Sequence, residues 1–255
     1  PYLKNSKGLT HVMPNYLVGY VNFSKQTYKE SILSPFMNKG DLLEFIEKNP
    51  KLCSRSMLKI ISEKMVYAVL ELHEKGVAHC DVKIENFFVH QEEGKLHIAL
   101  GDLEYLHKVT KETRVDCATR ELSDPILSRR SAVGNEIYQV DVFGLGVALW
   151  SLNYNEDAPY STDYLREREG LLTLEDYEKF RFPKETPTPS LGNILRAMCH
   201  HDLTQRIGVR EAYRRLCELP DSADPLPAEY GFQDSSEEST DYSSDSDTSS
   251  DIETE

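Results

Sequence analysis

Asp81, Lys83, Asn86 and Asp102 are the residues whose types and spacing could do chemistry together. A carboxylate can accept the proton of a hydroxyl, and an ammonium can neutralise a phosphoryl group in flight. An amide and a second carboxylate offer the hard oxygen ligands that suit Mg2+. Phosphoryl transfer needs this inventory, because its catalysis is mostly positioning and charge neutralisation. Two apolar, β-rich runs, Phe87–Val89 and Leu96–Leu100, flank the turn signal Gln91-Glu92-Glu93-Gly94. They predict a hairpin, which would hold Asn86 and Asp102 side by side at its open end. The competing reading is a polar surface loop with no chemistry.

His79-Cys80-Asp81-Val82-Lys83-Ile84-Glu85-Asn86 resembles the catalytic loop of protein kinases (H-R-D-x-K-x-x-N), and Asp102-Leu103-Glu104 resembles their D-F-G triplet. The resemblance implies a role for each residue. Asp81 would accept or orient the proton of the substrate hydroxyl, and Lys83 would steady the phosphoryl group. Asn86 and Asp102 would hold Mg2+ on the phosphates of ATP. The lysine two places after Asp81 is similar to the Ser/Thr-specific form of the loop. His79 and Leu103 would join a stack of supporting side chains. The implied fold class is α+β and protein-kinase-like, a mainly α-helical large lobe with a remnant of the β-rich small lobe.

The elements that must position these residues are legible on both sides. Tyr16–Val21 and Tyr28–Leu33 read as an antiparallel pair. His11–Leu17 resembles the lead into the fourth strand of the kinase small lobe, and Ser31–Leu42 resembles its fifth strand and hinge. That register would make Ser34 the gatekeeper and bring the backbones of Pro35 and Met37 to the adenine edge, with Phe88 as a further nucleotide contact. It would also put the Gly-rich loop and the phosphate-pairing lysine before residue 1. The expected division is therefore a small-lobe remnant over 1–36, the large lobe over 37–220, and an acidic tail over 221–255.

Gly40 or Asp41 opens a short helix that stops near Pro50. Met57, Leu58, Ile61, Met65, Ala68, Val69 and Leu72 then recur at three- and four-residue spacing, a long helix capped by Ser54 or Ser56 and stopped by Gly76. His73 near its end reads as structural, and His200 and His201 read as solvated turn residues. Asp141–Trp150 is apolar all round, as a helix without a solvent face must be. It resembles the axial helix of the kinase large lobe, in which Asp141 would accept N–H groups of the catalytic loop. Residues 191–217 supply two more helices.

Residues 105–131 are polar and read as an irregular segment, with Thr110, Thr113 and Thr119 as phosphorylation positions. Ala118–Pro125 resembles the end of a kinase activation segment but lacks the glutamate after its proline. Arg206, the usual partner of that glutamate, would need another acid, Glu121 or Asp124. Two further departures bear on activity. Cys80 replaces an arginine that contacts phosphorylated activation segments. Glu104 replaces a glycine and adds a negative charge beside Asp102. The expected function is ATP-dependent phosphorylation of Ser/Thr in a protein substrate, and the alternative is a catalytically silent interaction module.

The net charge of −14 is concentrated at the C-terminus. Residues 221–255 contain 12 Asp and Glu and no Lys or Arg, which leaves −2 for residues 1–220. That balance argues against nucleic acid as a partner, and the Ser-rich tail, too polar to bury a core, would dock a basic one. No apolar run is long enough to span a membrane. Five scattered cysteines point to a reducing, cytoplasmic compartment, with one disulfide still open. Pro35, the Gly101–Asp102 pair and the acidic tail are similar to the divergent rhoptry kinases of apicomplexan parasites, which would instead imply secretion.

Overall fold

The computed structural model describes residues 9–14, 17–24, 27–116, 119–156, 158–167, 170–182 and 184–220. The expected acidic tail, 221–255, lies outside them. Strands β1 (Leu17–Ser24) and β2 (Thr27–Leu33) pair antiparallel from Leu17↔Leu33 outward. Helix α1 (Leu42–Lys48) starts where Asp41 accepts the N–H of Glu44, a side-chain cap that satisfies one orphan donor.

Helix α2 (Arg55–Glu74) is the long helix read from the apolar spacing. Ser54 caps it, and Gly76, at φ +73°, turns the chain away in a conformation costly for any residue with a Cβ. Leu58, Ile61, Met65, Ala68, Val69 and Leu72 are all buried along one stripe. Strand β3 (Val77–Ala78) then leads into the candidate catalytic loop.

The hairpin forms from β4 (Phe87–Glu92) and β5 (Lys95–Leu100). Its strands run further than the sequence reading placed them. Glu93 and Gly94 both adopt positive φ, so they close the ribbon as a two-residue turn whose twist matches the strands. Segment 105–131 is also more ordered than expected. Strand β6 (His107–Lys108) pairs with β3, and β7 (Arg114–Val115) pairs with β8 (Ala132–Val133).

Helix α3 (Glu136–Tyr154) is the axis, and every residue from Val140 to Trp150 is buried. Helices α4 (Thr162–Glu167), α5 (Leu174–Tyr177), α6 (Leu191–Met198) and α7 (Val209–Cys217) complete the helical body. The short α4 and α5 carry too few residues to show a period, and the sequence reading did not include them. The main core joins α1, α2, the hairpin, α3, α6 and α7 around Met65, Phe87, Leu145 and Trp150. The fold class is thus α+β, mainly helical with a small sheet region. None of the described helices is long and apolar enough to cross a membrane.

Candidate active site

Asp141 organises the site from below. It is 1% exposed, and its Oδ1 accepts the N–H of Cys80 at 2.7 Å while its Oδ2 accepts that of His79 at 2.8 Å. His73 adds a third contact, its Nε2 lying 2.9 Å from Oδ2. A buried carboxylate with this many partners fixes the loop it holds. The hydrogen bond from His73, on α2, has no local signal in the sequence.

Two glycines let the axis approach the loop. A Cβ on Gly144 would meet the Val82 carbonyl at 2.6 Å, and one on Gly146 would meet the Cys199 sulfur at 2.5 Å. Cys80 bends the loop at φ +68° and points into a small apolar cluster with Ala78, Val115, Ala132, Ile137 and Val140. Burial, with Asp141 and Asp81 nearby, pushes its thiol far up, so it adds no charge next to Asp81.

His79 is fully buried, and it does more than pack. Its Nε2 lies 2.8 Å from the Gly101 carbonyl, and its Nδ1 lies 3.3 Å from the Asp81 N–H. A carbonyl can only accept and an N–H can only donate, so these partners select the tautomer with the proton on Nε2. The ring therefore ties Asp81 to the residue before Asp102. Gly101 also donates its N–H to the Asn86 carbonyl at 2.8 Å, at the mouth of the hairpin. These links bring the Asp81 loop and the Asp102 backbone together over α3.

Around Asp81 the side chains converge. Lys83 Nζ is 3.1 Å from Asp81 Oδ2, and Asn86 Nδ2 donates to the Asp81 carbonyl at 2.8 Å and to Oδ2 at 3.3 Å. Thr119 donates its hydroxyl to Asp81 Oδ1 at 2.6 Å and accepts from Lys83 at 3.1 Å. Sequence reasoning had Thr119 only as a phosphorylation position. Its place in the activation-segment resemblance was the available signal.

Asn86 spends its amide hydrogens on Asp81, which leaves Oδ1 as the atom for a cation. Asp102 is exposed and left-handed at φ 52°, ψ 60°, with Glu104 exposed two residues on. Among the described residues no group of three or more His, Cys, Asp or Glu could hold a metal ion. One amide and one carboxylate are the sparse oxygen set that fits Mg2+ shared with phosphates, not an all-protein cage.

Ser34, Pro35 and Met37, the expected hinge, are half-buried, whereas Phe36 is 83% exposed. Met37 gives its carbonyl to the Gly40 N–H at 3.1 Å, and Lys39 and Gly40 bond to Val89 on β4. Residues 37–40 are therefore fastened beside Phe88. A Cβ on Gly101 would strike the Phe88 ring at 2.8 Å, so the glycine lets that ring lie flat against the backbone next to Asp102. Leu103 is half-buried against the main core.

Arg206 finds its acid in Asp124. Both side chains are 0% exposed; Arg206 Nη1 and Nη2 both bond that carboxylate, and Nε and Nη1 reach the carbonyls of His200 and Gln139 at 2.7 Å. The acid precedes Pro125 instead of following it. From there Ser123 donates to the Thr119 carbonyl at 2.5 Å, so the pair anchors the strip that carries Thr119.

Residues 3–216 match the protein kinase domain model. The chain is similar to the ovarian-specific serine/threonine-protein kinase Lok of Drosophila melanogaster, 29% identical over 60% of this chain and 31% of that protein. It is similar to NUAK family SNF1-like kinase 1 of Mus musculus, 30% identical over 77% of this chain and 30% of that one. With RAC-beta serine/threonine-protein kinase B of Xenopus laevis it shares 22% identity over 81% of this chain and 41% of that protein. The chain thus spans less than half the length of each of these relatives. A family model that covers nearly all of the described residues, together with a loop, hairpin and axial helix arranged as above, means that the chain belongs to the protein kinase family.

Proposed function

We propose that the protein containing this chain transfers the γ-phosphoryl group of ATP to a serine or threonine hydroxyl of a protein substrate. The observation that carries the reading is the grip on Thr119, an aliphatic hydroxyl held by Asp81 as acceptor and Lys83 as donor. A substrate hydroxyl needs the same two partners. Asp81 takes its proton as the new O–P bond forms, and Lys83 offsets negative charge on the transferring group. Asn86 and Asp102 would hold Mg2+, which when bound with ATP neutralises the phosphates and orients the leaving group. His79 and Asp141 keep Asp81 aimed, and Ser34, Pro35, Met37 and Phe88 would hold the adenine.

The second reading is a kinase-fold interaction module without catalysis. Glu104 favours it, since a carboxylate beside Asp102 raises the cost of a second negative ligand set. Transfer of labelled γ-phosphate by the full-length protein separates the two. Activity that Asp81→Ala lowers by about 10²–10⁴-fold and Asp102→Ala abolishes is expected. Equal incorporation by wild type and both variants would remove the first reading. The rhoptry-kinase resemblance rests on the hinge proline, Gly101 and the tail alone, and it carries no part of this proposal.

A further inference from the structure

We infer that the cavity behind His73 binds a free α-amino acid with an apolar side chain, and that its occupancy acts on the catalytic loop through Asp141. A cavity of about 350 Å³ lies where the end of α2 meets the starts of α3 and α7. That is the size of a small-ligand site. It opens along α7 into a wider groove of about 850 Å³, with Leu70, Glu74, Gly208 and Arg210 shared between the two. A ligand therefore has a path in from solvent. None of Asp81, Lys83, Asn86 or Asp102 lines either space, so this is not the phosphotransfer site.

One atom in the wall calls for a ligand. Gln139 lines the cavity, and its Oε1 is closed to solvent with no hydrogen-bond partner among the described residues. An amide oxygen without a donor is costly, and water does not reach this one. The terminal torsion of a glutamine is broad, so the amide can turn to a donor that arrives in the cavity. Its backbone is fixed, since the Gln139 carbonyl accepts from Arg206 Nη1 at 2.7 Å. The start of α7 supplies the opposite pole. Gly208, its N-cap, makes no side-chain cap, and a Cβ there would meet nothing within 4 Å. The uncapped N–H groups of a helix start attract an anion. Arg210 adds a full positive charge at the rim, its side chain 75% exposed and paired with Glu74.

These groups sort ligands by chemistry. A carboxylate suits the start of α7 and Arg210, and an ammonium suits Gln139 Oε1 and Glu74. Leu70, Val142, Val209 and the Tyr138 ring add apolar wall. A zwitterion with an apolar side chain meets all three demands, whereas a plain acid or a plain amine leaves one pole unmet. His73 is what makes occupancy matter. It lines the cavity, its ring lies 4.6 Å from that of Tyr138, and its Nε2 bonds the Asp141 carboxylate that accepts the Cys80 and His79 N–H groups. A ligand packed on His73 and Tyr138 holds that bond in place and steadies the loop that carries Asp81. The coupling, unlike the binding, rests on the phosphotransfer reading.

Isothermal titration calorimetry of the full-length protein with L-phenylalanine, phenylpropionate and phenethylamine tests the site. Phenylalanine should bind, and each of the others, lacking one charged pole, should bind about ten- to a hundredfold more weakly. Gln139→Leu should bring phenylalanine down to the level of phenylpropionate. Arg210→Ala, on the exposed rim, should weaken phenylalanine and phenylpropionate about threefold without weakening phenethylamine. This second variant reads the site even if the Gln139 substitution disturbs folding. No saturable binding of phenylalanine, or equal affinity for all three probes, overturns the site. Saturating phenylalanine should raise γ-phosphate transfer about fivefold in wild type and leave Gln139→Leu unchanged. Binding with an unchanged rate keeps the site and overturns the coupling through Asp141. Binding with no transfer under any condition keeps the site and overturns the phosphotransfer reading, and the coupling with it.

Discussion

Asp124 and Arg206 are the residues whose energetics are most sharply defined, because neither side chain touches water. Removing one partner strands the other's charge in the core. Asp124→Ala should therefore lower unfolding free energy by about 3–5 kcal/mol in urea titration. Asp124→Leu combined with Arg206→Met should recover most of that loss, and simple additivity of the two changes would contradict a coupled pair. Thr119 makes a second prediction at this scale. Thr119→Val removes a hydroxyl that bonds a carboxylate and an ammonium, so phosphotransfer should fall about ten- to a hundredfold in steady-state assays. The convergence of Asp81, Lys83 and Asn86 was legible in their spacing and in the catalytic-loop resemblance. The bond from Thr119 to Asp81 had no signal beyond the activation-segment resemblance, because the two lie 38 positions apart in sequence.

Helix α3 works through its glycines, and their neighbours differ. Gly144 faces a backbone carbonyl of the catalytic loop, whereas Gly146 faces the Cys199 side chain and Met198 on the α6 side. Overpacking at either costs about 1–3 kcal/mol. Gly144→Ala should push the loop aside and cut phosphotransfer by more than its loss of stability explains. Gly146→Ala should lower Tm while leaving the rate per folded molecule near wild type. Equal activity losses in the two variants would contradict this division. The helices α2, α3, α6 and α7 were legible because their apolar residues keep a period or fill every face. Segment 105–131 was not, since β6–β3 and β7–β8 are two-residue pairings between distant pieces, with no local pattern to announce them.

Across the whole molecule, the described thiols separate by burial, and Cys53, Cys80, Cys199 and Cys217 are all free. Cys199 is wholly buried and its pKa is pushed up from 9.0 to about 12, while Cys217 is exposed. Below pH 9 the thiol is neutral in both folded and unfolded chains, so its contribution to stability is intact. As pH rises from 9 toward 12 only the unfolded thiol ionises, and that contribution is lost. Urea midpoints should fall over this window in wild type and fall less in Cys199→Ala. Alkylation at pH 8 should mark Cys217 before Cys80 or Cys199. Family and large-lobe architecture could be read from two motifs and an all-apolar helix, but the side-chain network linking His73, Asp141, His79 and Gly101 arises only when distant elements pack. The most direct measurement of the central claim is the rate of γ-phosphate transfer by the intact protein beside Asp81→Asn, which keeps the shape and removes the charge. A fall of about 10²–10⁴-fold in kcat with KM for ATP unchanged is the expected result; a rate equal to wild type would contradict the assignment of Asp81 as the group that takes the proton.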